Sequence, residues 1–83
     1  MKLVIDIEAN DLYQKAEDIF IISTLDVDTG KVMSFSDHDS TLPSLTDAFS
    51  YLERADLLIG HNIVRYDLPV IEKILGWTFP QEA

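Results

Sequence analysis

The 83-residue chain contains no cysteine, which excludes disulfides and thiolate metal sites as sources of stability. Positive charge is scarce: six Lys and Arg stand against fifteen Asp and Glu, a net charge of −9 with His counted as neutral. A generic nucleic-acid binder needs a basic face, and this composition does not supply one. An enzyme that meets phosphates through divalent cations stays open, because the ions reverse the local field. Most of the acidic residues read as a solubilising surface. Long apolar runs are missing as well. No segment approaches the roughly 20 residues of a membrane span, and Asp6 interrupts the opening run Leu3-Val4-Ile5 too early for a signal peptide. The expectation is a cytoplasmic chain with no membrane association. At this length it forms one small domain, or a piece of one, with a marginal core.

What is present is a pattern of short strands and two amphipathic helices. Residues 3–7 and 19–25 are β-branched, apolar runs with apolar residues at both parities, as expected of strands covered on both faces. Asp28-Thr29-Gly30 reads as a hairpin turn, with Gly30 supplying a positive φ, and residues 31–36 as the returning strand. After a polar loop, Ser44 and Asp47 have the spacing of a helix cap and its reciprocal acid. Leu45, Ala48, Phe49 and Leu52 then fall on one helical face, within a helix over 45–54. Residues 56–59 make a fourth strand, ended by Gly60. A second helix over 68–75 opens with Pro69 in its first turn and closes at Gly76. The fold class is α/β: three antiparallel strands, a crossover helix, a fourth strand parallel to a neighbour and a second helix.

Two constellations carry candidate chemistry. Asp6 and Glu8 are two apart in a strand, so both carboxylates leave the same face. Two like charges so close repel, which favours a proton or a cation between them. Mg2+ and Mn2+ prefer such oxygen ligands. Taken alone, an Asp-x-Glu is equally a solvated strand end. The second constellation, His61-Asn62-Ile63-Val64-Arg65-Tyr66-Asp67, follows the fourth strand directly and leads into the second helix. There Asp67 is favoured as an anion by the free N–H groups of the helix start, and as a bland alternative it is simply an N-cap. His61 and Tyr66, each taken alone, read as structural residues.

Together, Asp6-Ile7-Glu8-Ala9-Asn10 and His61-Asn62-x-x-x-Tyr66-Asp67-x-Pro69, about sixty residues apart, resemble the first two motifs of the DnaQ-like (DEDD) 3′→5′ exonucleases. The likeness is closest to the N-terminal proofreading exonuclease domain of short-tailed-phage family A DNA polymerases, and it spans essentially the whole chain. It implies a truncated ribonuclease-H-like fold and a two-metal, Mg2+- or Mn2+-dependent hydrolysis of DNA from the 3′ end of a single strand. By the same resemblance, Asp6, Glu8 and Asp67 match the catalytic, metal-binding carboxylates. Ala9, Leu12, His61, Asn62 and Tyr66 match positions at the substrate, with Leu12 wedging against the terminal base.

The family's third motif, a Tyr-x-x-x-Asp or His-x-x-x-Asp, is not in this sequence, and no aspartate follows Asp67. A site with three ligands of four places its water poorly, so little or no activity is expected of the chain in isolation. The alternative is a non-catalytic protein-interaction module on a truncated nuclease fold. The expected partners are a second copy, giving a homodimer, or the remainder of a polymerase. Burial gives the reason: two helices cover only part of a sheet that is apolar on both faces, and Trp77 and Phe79 are candidates for the resulting seam.

Overall fold

The structure, a computed structural model, describes residues 1–10, 18–61 and 63–80, without the side chains of residues 64 and 65. Strands β1 (Lys2–Ala9), β2 (Ile19–Asp26) and β3 (Val32–Phe35) form an antiparallel meander, and helix α1 (Leu45–Leu52) crosses over to strand β4 (Leu57–Ile59). β4 lies parallel to β1, with Leu3 opposite Leu58, so the sheet order is β3-β2-β1-β4. A π-helical turn (Ile63–Asp67) runs directly into helix α2 (Leu68–Leu75). The expected element order and strand directions are found, and the bounds agree to within two residues, with α2 matching at both ends.

Local chemistry accounts for the ends of these elements. The β2–β3 turn is fixed by Asp26, whose carboxylate accepts hydrogen bonds from the backbone N–H groups of Asp28 and Thr29, while Gly30 takes φ 75°. Ser44 caps α1: its side chain accepts from the backbone N–H of Asp47, and the Asp47 carboxylate accepts from that of Ser44. α2 carries Pro69 in its first turn and ends on Gly76 at φ 72°, whose N–H donates to the Glu72 carbonyl. A left-handed residue at that position favours glycine.

Burial is one-sided. Leu3, Ile5 and Ile7 of β1 are buried, and so are their neighbours Ile22 and Leu58. They form one core with Leu45, Ala48 and Leu52 of α1 and with Val70 and Ile71 of α2. Both helices therefore cover the same face. The other face is the part of the sheet that two helices were expected to leave bare: Val32, Leu25, Ile59 and Leu57 are 65, 40, 39 and 36% exposed. The tail departs from expectation. Trp77 stacks on Phe49 of α1 with ring centroids 5.2 Å apart and donates its indole N–H to Glu53 at 2.9 Å, and Phe79 is buried in the core. These rings are engaged within the chain rather than held out to a partner. Among the described residues no helix is long and apolar enough to cross a membrane.

Candidate active site

Strand alternation sets the first two carboxylates. With Leu3, Ile5 and Ile7 buried, Asp6 and Glu8 project from the opposite, open face of the central strand. Ser23 is the cross-strand partner of Asp6, and Ile21 that of Glu8. A register shift between Glu8 and Ala9 interrupts the regular ladder, which resumes with Ala9 opposite Ile19, so Glu8 sits at a β-bulge.

The third carboxylate arrives by another route. β4 ends at Ile59, whose partner on β1 is Val4, and the chain then turns at Gly60 beside β1. A methyl group at Gly60 would lie 3.0 Å from the Ile5 carbonyl oxygen, 3.1 Å from Ile63 Cβ and 3.4 Å from Asp67 Oδ2. The absent side chain thus lets the π-helical turn fold back over the strand end and sets the Asp67 carboxylate against Gly60. Asp67 is only 4% exposed. It makes no side-chain cap to α2, which excludes the simple N-cap reading. Burial, and then the nearby charge of Asp6, push the Asp67 carboxyl up from 3.8 to about 6, with the His61 charge opposing them. Gly60, set against both the Ile5 carbonyl and the Asp67 carboxylate, brings the turn to the residue before Asp6.

The remaining candidates fall into three groups. His61 is exposed at the mouth of the turn, Tyr66 is half-buried against the core, and Ala9 is half-buried at the bulge. Leu12 and Asn62 lie outside the described residues. Asp6 and Asp67 are brought together, whereas no group of three or more His, Asp or Glu among the described residues is gathered closely enough to hold a metal ion. For a hard divalent cation the described residues therefore gather fewer than three ligands, with Glu8 two positions beyond Asp6 on the same strand. The residue whose role sequence reasoning missed is Gly60, read as a strand end and as the first residue of the Gly-His-Asn run but not as a point of contact with β1. Its signal was its place between the fourth strand and the His61–Asp67 run.

Gly60→Ala is expected to cost about 1–3 kcal/mol, because its new methyl group meets backbone at Ile5 rather than a yielding side chain. A urea unfolding curve measures this; a midpoint at or above that of the unaltered chain would show that the approach of Gly60 to β1 has slack.

The sequence profile of the RNase H superfamily matches residues 3–82, and the chain belongs to that superfamily. Its mixed four-stranded sheet with two helices is a ribonuclease-H-like arrangement. No curated protein matches the chain.

Proposed function

We propose that this RNase H superfamily chain is the N-terminal part of a proofreading 3′→5′ DNA exonuclease domain of a phage-type DNA polymerase. The observation that supports the reading is the close approach at Gly60, where the carbonyl of Ile5, one residue before Asp6, and the Asp67 carboxylate both lie within 3.4 Å of the place a methyl group would take. Asp6, Asp67 and Glu8 would hold Mg2+ or Mn2+, since carboxylate oxygen is the donor those ions prefer. A bound divalent ion supplies hydroxide at neutral pH and neutralises charge on the phosphate and leaving oxygen. The chain's own residues would position and hold: β1 presents Asp6 and Glu8 from one face, and Gly60 and the π-helical turn would bring Asp67 toward Asp6. His61 and Tyr66, with Ala9, Leu12 and Asn62, would line the approach of a single-stranded 3′ end.

Mn2+ at tenfold its dissociation constant should stabilise the chain by about 1.4 kcal/mol through mass action. Thermal melts with and without millimolar Mn2+ measure it, and the gain should vanish in Asp6→Ala. With only three carboxylates of the motif set in this sequence, a 5′-labelled single-stranded oligonucleotide should be trimmed very slowly or not at all. Metal-dependent retention of that oligonucleotide, lost in Asp67→Ala, supports the reading. Retention that ignores both Mn2+ and Asp67 overturns it, and favours the second reading, a non-catalytic interaction module. The open apolar sheet face is what favours that alternative.

A further inference from the structure

The open face has a pattern as well as exposure. Cross-strand pairing runs from Val32 to Leu25, from Leu25 to Val4 and from Val4 to Ile59, so one apolar row crosses all four strands. On β1, Lys2 projects from the same face on one side of this row, and Asp6 projects on the other. The face is therefore positive, apolar and negative in order along its central strand.

We propose that this face seats a second copy of the chain, with a two-fold axis lying along the apolar row. Rotation about such an axis reverses β1, so Lys2 of each copy faces Asp6 of the other, and Val32, Leu25, Val4 and Ile59 meet their own counterparts. The surface is self-complementary, which an isologous contact requires. Pairing through a sheet edge is a poorer route, because the edge strands β3 and β4 offer only four and three residues. Four strands ~4.8 Å apart and about five residues deep project roughly 300 Å² per copy. That is below the ~1,200 Å² total of stable specific interfaces, so the association is weak, with a dissociation constant on the order of 100 µM. The net charge of −9 on each copy opposes docking. At physiological ionic strength this repulsion is screened beyond ~8 Å, and the facing Lys2–Asp6 pairs oppose it locally.

The contact shares Asp6 with the metal site proposed above but does not rest on that reading, and its test runs in chelator to keep the two apart. Sedimentation equilibrium from about 20 µM to about 1 mM should show mass rising from 9.4 kDa toward twice that value. Val32→Lys, at an exposed position that leaves the core intact, should weaken association at least tenfold, with an unchanged melting curve as the control for folding. Lys2→Glu and Asp6→Lys should each weaken it, and the two combined should restore it. A monomer at every concentration overturns the proposal. Association undiminished in Val32→Lys, or a double exchange as weak as the singles, overturns it equally, by placing the contact on another surface or in another orientation.

Discussion

Leu58→Ala is expected to lower the melting temperature by roughly 10–25 °C, the loss of about 2–5 kcal/mol in a domain of this size. Leu58 is 1% exposed and is the one buried residue of the three-residue strand β4, opposite Leu3. Truncating it leaves a cavity under the strand that delivers Gly60 and the π-helical turn. A small domain has only roughly 4–12 kcal/mol in total, so the variant should be partly unfolded near body temperature. Ile59→Ala, one residue along and pointing to the open face, should change the melting temperature by no more than a few degrees. Thermal circular dichroism on the two variants checks the one-sided core. Equal losses would mean that both faces of the sheet are packed.

The second large effect is a gain. Asp67→Asn should stabilise the chain by about 3 kcal/mol above pH 6, because the native fold holds an acid whose carboxyl is raised from 3.8 to about 6. The sign follows from proton counting. Between those values the folded chain binds more protons than the unfolded one, so its stability falls as pH rises from about 4 to about 6 and is level beyond. Below about 4 the acid is protonated in both states and the penalty is absent. The amide introduced by the substitution cannot ionise, so the variant lacks this slope, and the two stability curves should meet near pH 4. Urea unfolding at a series of pH values measures it. The same substitution should abolish the Mn2+-dependent stabilisation, a trade of stability for a charged site that nuclease-type carboxylate clusters invite. A variant no more stable than the unaltered chain at pH 7 would mean that Asp67 is not held against its charge.

Much of the fold was legible because its signals are local. The Ser44–Asp47 cap, Pro69, Gly30 and Gly76 each act within a few residues, and all four do what their spacing implies. The shared face of Asp6 and Glu8 follows from strand periodicity alone. The open face was legible only in part: two helices could not cover a sheet apolar on both faces, but β-branched residues at both parities do not say which face stays bare. Val32 and Leu25 are apolar and exposed. The π-helical turn has no sequence signature to distinguish it from an ordinary loop before a helix. The burial of Asp67 depends on Gly60 touching the backbone of β1, a contact between segments more than fifty residues apart. Trp77 and Phe79 belong to a tail without periodicity, so their stacking and burial against α1 and the core were decided by tertiary packing. The resemblance to a nuclease family was sound at the level of the RNase H superfamily, to which residues 3–82 conform. The exonuclease role proposed for the chain rests on the pairing of Asp6 with Asp67.

The most direct test of that pairing is a carboxyl-carbon NMR titration of Asp67, in the unaltered chain and in Asp6→Asn, with and without Mg2+. The raised carboxyl should titrate at about 6, move down when the charge at position 6 is removed, and move further down in the unaltered chain when Mg2+ is added. An Asp67 carboxyl that titrates near the ordinary aspartate value and responds to neither Asp6→Asn nor Mg2+ would contradict the shared site.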